Sequence, residues 1–173
     1  MDENSIMLRE LVAEDAASAV AVIHAAFATI EAMLDPPASA ARETAAGIAA
    51  WIGGGGGGGA VAVAGGTVIA VVLWTERDGG LYIARLAVRP DWRRRGLARR
   101  LLVRAEQAAR AKSLPRLHLG TRLVLAGNRR LFASAGFAEI AEHAHAGYGR
   151  PTWVEMEKRL ACPAMPSGET GNE

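Results

Sequence analysis

Leu86-Ala87-Val88-Arg89-Pro90-Asp91-Trp92-Arg93-Arg94-Arg95-Gly96-Leu97-Ala98-Arg99-Arg100-Leu101-Leu102 is the stretch on which the fold turns. Apolar residues run up to Val88, and Arg89-Pro90 breaks the run, because the residue before a proline is pushed into extended conformation. From about Arg94 to Ala111, Leu97, Leu101, Ala105 and Ala108 recur at steps of three or four, joined by Ala98, Leu102 and Ala109. That is the apolar stripe of an amphipathic helix. The stretch reads as strand, short loop, helix. N–H groups in the first turn of a helix have no partner inside it, and the helix dipole favours an anion there. Gly96 removes a side chain where an anion would need close approach, and Ala98 stays small for the same reason. A diphosphate would accept several N–H bonds, each worth roughly 1.5–3 kcal/mol because the acceptor is charged. Arginine forks beside it could clamp a further phosphate. The plainer reading is a basic, solvated helix start, but clustered arginines at the positive end of a helix are unfavourable without an anion.

Upstream, Ile6 to Leu11 reads as a first strand, and Glu14 to about Met33 as a helix that Asp35-Pro36-Pro37 ends. A second helix is predicted from Ser39 to Trp51. Gly53 to Gly59 are seven glycines in a row. No Gly-Lys-Ser or Gly-Lys-Thr follows, so the P-loop pattern fails, and the run reads as a flexible loop. Ala60–Ala64 and Thr67–Thr75 flank Gly65-Gly66 as a hairpin, and Leu81–Val88 follows the Asp78-Gly79-Gly80 turn as a third strand. Downstream come a strand at Leu114–Leu119, a short helix at Asn128–Ala135 with Gly136 as its C′ glycine, and strands at Phe137–Ala141 and Thr152–Lys158. This order predicts an α/β (α+β mixed) fold with a mixed sheet and helices on both faces, one domain over residues 1–160. A flexible tail is expected over 161–173.

With 50% hydrophobic and 22% charged residues, the chain of 173 has the composition of a globular domain. Its 20 basic and 18 acidic side chains leave a net charge of +2, too small a field to call for nucleic acid or an anionic membrane. The single Cys162 cannot pair internally, which suits a reducing compartment. The acidic N-terminus lacks a signal peptide's pattern, and no apolar run is long enough to span a membrane. A cytoplasmic location follows as the expectation.

Arg93-x-x-Gly96-x-Ala98, after a strand ending Leu86-Ala87-Val88, resembles the coenzyme A signature of the GNAT superfamily of N-acetyltransferases. Asn128-Arg129-Arg130-Leu131-Phe132-Ala133-Ser134-Ala135-Gly136-Phe137 resembles the same family's downstream motif, in the usual order and separation. The resemblance covers nearly the whole chain. It implies a central, mostly antiparallel twisted sheet of about seven strands flanked by about four helices. It implies acetyl-CoA as co-substrate, a primary amine as acceptor, and no metal; homodimers are common among relatives. Main-chain groups of Leu86, Ala87 and Val88 would meet the pantetheine arm as an added strand. Amides from Arg94, Arg95, Gly96, Leu97 and Ala98 would hold the pyrophosphate, with Arg93 beside it. Arg99 would reach a phosphate or stand solvated. Asn128 would contact the arm or cap its helix.

The family often assists thiolate departure with a tyrosine. Phe132 stands at that position and cannot donate a proton, so it would pack in the core or against the coenzyme. That motivates an alternative, a non-catalytic acyl-CoA-binding protein. The catalytic candidates are His118 near the end of its strand, Tyr82 on the strand leading to the coenzyme, and Tyr148, clustered with His143 and His145. The two histidines lack a third ligand for a metal. A nucleic-acid module built on Arg89, Arg93, Arg94, Arg95, Arg99 and Arg100 is disfavoured by near-neutral charge and absent interleaved aromatics.

Overall fold

A computed structural model of the chain describes residues 5–161. The elements in order are β1 (Met7–Glu10), α1 (Ala16–Ala28), α2 (Ala45–Gly53), β2 (Gly57–Ala64), β3 (Thr67–Arg77), β4 (Gly80–Val88), α3 (Leu97–Ala111), β5 (Arg116–Arg122), α4 (Ala126–Ser134), β6 (Ala138–His143) and β7 (Trp153–Arg159). The seven strands form one sheet in the order β1-β2-β3-β4-β5-β7-β6. Only β4 and β5 run parallel. The α/β class, the mostly antiparallel seven-stranded sheet and the four helices are as expected. The tail beyond Ala161 lies outside the described residues.

Each face of the sheet carries its own core. Leu97, Leu101, Leu102 and Ala105 of α3 pack with Ile69, Leu81, Leu117 and Phe132 on one face. Ala19, Val22 and Ile23 of α1 and Ile48 of α2 pack with Val61, Val71 and Leu73 on the other. Ile23 and Leu101 are fully buried, and burial of one such side chain contributes about 1.5–3 kcal/mol. The period-2 alternation of strands β2 and β3 feeds both cores at once.

Three expectations need correcting. Gly57, Gly58 and Gly59 are not loop but the first three residues of β2, paired with Thr75, Trp74 and Leu73. A side chain at Gly57 would strike Trp51, one at Gly58 would lie 2.8 Å from the Trp74 indole nitrogen, and one at Gly59 would lie 2.5 Å from the Val72 carbonyl oxygen. At Gly57 and Gly58 glycine is needed because the two tryptophans occupy the space on alternate faces, with Trp51 Nε1 donating to the Trp74 carbonyl at 3.1 Å. Secondly, α1 stops at Ala28, well before the prolines. The Thr29 hydroxyl and the Arg93 guanidinium both take the Ala26 carbonyl, which a continued helix would need for Ile30. Thirdly, the span from Ser39 to Trp51 is split. A single 3-10 turn, Ser39–Arg42, precedes α2, and Thr44 caps α2 by accepting from the Gly47 N–H at 3.0 Å.

The feature that positions the site lies between β4 and β5. They pair only over Leu81–Ile83 with Leu117–Leu119 and then part. The cause sits on β4's other side. The register with β3 slips so that Trp74 faces Ile83 and Leu73 faces Arg85, leaving Ala84 as an extra residue. A β-bulge of this kind bends its strand. The bend falls one residue after the last β4–β5 pair, so the outer half of β4 swings away with an unpaired edge.

Candidate active site

Two cavities open at this split, with Phe27 as a shared wall. The first, of about 280 Å³, is lined by Ala26, Phe27 and Ile30, by Leu86, Ala87 and Val88 of β4, by Arg93 and Ala98 around the start of α3, and by Asn128, Leu131 and Phe132 of α4. The second, of about 610 Å³, lies on the α1 face. Its walls are the segment from Pro36 to Arg42, Tyr82, Ala84 and Arg85 of β4, Gly120, Thr121 and Arg122 of β5, His145, and Trp153 of β7.

Seven of the residues expected to hold the coenzyme thus line one cavity. The other five do not line it, though Arg94 to Leu97 form the stretch between the lining residues Arg93 and Ala98. Arg94 and Gly96 both have left-handed backbone, with φ of 62° and 73°. Backbone that alternates in hand turns successive N–H groups toward one concavity, a shape suited to anions. For Arg94 that conformation costs about 1–2 kcal/mol, which marks the loop as held rather than relaxed. Among the described residues, no backbone carbonyl accepts from the N–H groups of Arg94, Arg95, Gly96, Leu97, Ala98 or Arg99. A β-carbon added at Gly96 would meet nothing within 4 Å. The space over this turn is open.

The side chains of this loop divide their work. Arg93 donates to the Ala26 carbonyl at 3.1 Å and to the Thr29 hydroxyl at 3.0 Å, tying the loop to the end of α1. Arg95 lies over the Trp92 ring, 4.5 Å from its centre. Arg89 pairs with Asp91. Leu97 is buried in the core, and its N–H has no carbonyl partner among the described residues. Arg99 lines a separate depression with Glu106 and Lys158. Asn128 does not cap α4: the capping position is Leu125, and Asn128 sits in the first turn and lines the cavity. Phe132 is buried edge-to-face against Phe137, with ring centres 5.9 Å apart.

The three catalytic candidates separate. Tyr82 lines the second cavity, and its hydroxyl makes no hydrogen bond to the described residues. His118 packs edge-on against the Tyr82 ring at 5.2 Å, is 3% exposed, lines neither cavity, and has its Nε2 2.9 Å from the Arg77 carbonyl. Tyr148 also lines neither cavity. Its hydroxyl donates to Asp35, which holds the phenol proton above its usual range. This contact ties the turn between β6 and β7 to the loop after α1.

Two more residues complete the second cavity: His145, which the sequence grouped with Tyr148, and Arg122, which it did not single out. His145 lines it, and its Nδ1 shares a hydrogen bond with the Thr152 hydroxyl. Burial, and then the nearby Arg122 charge, hold its imidazole below the ordinary histidine value. Arg122 reaches across to the Pro36 carbonyl at 2.6 Å, and burial pushes its guanidinium down. Strand alternation from His118 through Gly120 puts Arg122 on this face, and that was readable. His145 lies in an irregular turn with no period to place it.

No helix among the described residues is long and apolar enough to cross a membrane. Residues 25–137, more than half of the chain, match the model of the Acetyltransferase (GNAT) family. Among solved structures, the chain is similar to a PaiA N-acetyltransferase from Thermoplasma acidophilum in complex with coenzyme A, at 19% identity over 90% of this chain and 99% of that one, with a TM-score of 0.76. It is similar to the ribosomal-protein-S18-alanine N-acetyltransferase of Escherichia coli, at 20% identity over 98% and 100% of the two chains, with a TM-score of 0.73. An acetyltransferase from Streptococcus agalactiae gives 21% identity, 91% and 99% coverage, and a TM-score of 0.71. No curated protein matches the sequence. At such low identity the structural likenesses speak to the fold, and the family match speaks to kind: the chain belongs to the GNAT acetyltransferase family and is an acyltransferase.

Proposed function

We propose that the protein transfers the acetyl group of acetyl-CoA to a primary amine. The observation that carries this is the concavity of unbonded amides from Arg94 to Ala98, set where β4 parts from β5. Its fit to a diphosphate is supported by the open space over Gly96. The unpaired outer edge of β4 at Leu86–Val88 offers backbone donors and acceptors to the amide-bearing pantetheine arm. Phe132 and Leu131 provide an apolar wall, and Asn128 a carboxamide, along the same cavity. Arg93 anchors the cradle, while Arg94, exposed beside it, supplies positive charge.

Acetyl-CoA supplies a thioester: transfer forms the acceptor's N–C bond, breaks C–S, and moves one proton from nitrogen to sulfur. A lysine-like amine with a pKa near 10.4 costs about 4.6 kcal/mol to deprotonate at pH 7. His145 is the base this geometry favours. With Nδ1–H donating to Thr152, its Nε2 is left as an acceptor on a ring that lines the second cavity, and its lowered pKa keeps it neutral at pH 7. Phe132 offers no proton. The Tyr82 hydroxyl is the phenol of the second cavity and takes the donor's part, its ring held by His118 and by Arg77, 5.1 Å from the ring centre. Release of free thiol from acetyl-CoA, followed across a panel of amines, tests the proposal. Acetylation of at least one class is expected; silence with every amine, despite tight acetyl-CoA binding, would favour the alternative of a binding protein without catalysis.

A further inference from the structure

Among the described residues, the second cavity is lined by Arg42, Arg85 and Arg122, and by no acidic side chain. The three are not equivalent. Arg85 is neutralised, because its Nη2 lies 2.7 Å from a Glu43 carboxylate oxygen and 2.9 Å from the Ser39 hydroxyl. Arg42 is exposed at the rim. Arg122 is half-buried, and its Nη2 is held by two neutral acceptors, the Pro36 and Pro37 carbonyls at 2.6 and 3.3 Å. Among the described residues no carboxylate lies within ion-pair distance of it. Asp35, whose charge it feels, is engaged by the Tyr148 hydroxyl.

A half-buried guanidinium without a counter-charge is costly in isolation. Here two backbone carbonyls fix its plane without neutralising it, and its remaining N–H groups make no hydrogen bond to the described residues. The Nη1 and Nε hydrogens that these carbonyls leave free can donate charge-assisted bonds to a carboxylate. Burial holds the guanidinium below its usual value more strongly than Asp35 and Tyr148 raise it, as expected where counter-charge is short. The same charge lowers His145, so the two groups share one local field.

Resting on the acetyl-transfer reading above, we propose that the acceptor is an amine that also bears a carboxylate, an amino-acid-like small molecule whose anionic end is gripped by Arg122. The cavity, about 610 Å³, has the size of a small-molecule site. The same arginines set it against polycationic amines, whose second charge would meet Arg122 and Arg42.

The test compares three panels in the thiol-release assay: free amino acids, the matching amino-acid amides, and linear polyamines. The wild-type protein is expected to favour the acids over their amides by about 10- to 100-fold in kcat/KM, chiefly through KM, the range one charge-assisted contact gives. Arg122→Gln should collapse that ratio toward one, and Arg122→Lys should keep part of it. Amides used as well as acids, polyamines used best, or a ratio that survives Arg122→Gln would each overturn the inference. Because the acid-to-amide comparison is made on the wild-type protein, it stands even if a variant fails to fold. Turnover of amides or polyamines without acids removes only the carboxylate. Silence across all three panels with acetyl-CoA bound removes the transfer reading itself, and the inference with it.

Discussion

Seven consecutive glycines, chemically identical, should respond to the same mutation with opposite signs. Gly59 is in β2, and an added β-carbon would lie 2.5 Å from the Val72 carbonyl oxygen and 2.9 Å from Leu11 Cδ2. The first neighbour is backbone of the central sheet and cannot turn away, so strands β2 and β3 must separate by a sizeable fraction of an ångström. Overpacking of this kind costs about 1–3 kcal/mol. Gly53 is the last residue of α2, and a β-carbon there would meet nothing within 4 Å. Gly53→Ala therefore removes backbone freedom from the unfolded chain alone, worth about 0.4–1 kcal/mol of stabilisation. For a domain of this size each kcal/mol moves Tm by about 2–4 °C. Gly59→Ala should lower Tm by roughly 2–12 °C, and Gly53→Ala should raise it by roughly 1–4 °C. Thermal unfolding followed by far-UV circular dichroism reads both. Equal shifts for the two variants would refute the placement of Gly57–Gly59 in the sheet and return the run to a loop.

Other perturbations reach the chemistry and the charges. His145→Gln should lower kcat by about 10²- to 10⁴-fold. In the wild-type protein the rate should fall on the acid side below the ordinary histidine value, because protonation of a depressed imidazole removes the base; an acid limb unchanged in the variant would clear His145 of the role. Tyr82→Phe should lower kcat, and adding Phe132→Tyr should restore part of the loss, since it returns a hydroxyl to the first cavity; loss without rescue, at normal acetyl-CoA affinity, would place the donor elsewhere. Asp15 is held below the usual carboxylate range, first by its bond from Arg9 and also by the Val12 N–H. Its folded pKa is depressed, so its contribution is present above the unfolded value near 3.9 and lost as pH falls through the folded one. Asp15→Asn should be less stable than wild type near neutrality and should flatten the pH dependence of stability below about pH 4; an unchanged acid limb would show that Asp15 is not part of it.

The strand-loop-helix unit around Gly96 was legible because three local signals coincide there: a pre-proline break, an apolar stripe at helical spacing, and a glycine at the helix start. Five of the seven expected coenzyme residues that line the first cavity, Leu86, Ala87, Val88, Arg93 and Ala98, belong to that unit, and Asn128 and Phe132 came from the downstream motif. What stayed hidden depends on distant partners. Gly57 and Gly58 look like a linker until Trp51 and Trp74 are seen to fill the space beside them, and Gly59 until the Val72 carbonyl is. The end of α1 at Ala28 depends on Arg93, far along the chain, taking the Ala26 carbonyl. His118 looks poised at a strand end, yet its ring is spent on Arg77 and Tyr82. The split between β4 and β5 arises from a one-residue slip at Ala84, which no periodicity in the strand announces.

A crystal structure with acetyl-CoA bound measures the site most directly. Pyrophosphate oxygens within about 3 Å of the backbone nitrogens from Arg94 to Ala98, and the pantetheine arm alongside Leu86–Val88, are the expected result. A coenzyme seated elsewhere, with those nitrogens still facing solvent, would contradict it.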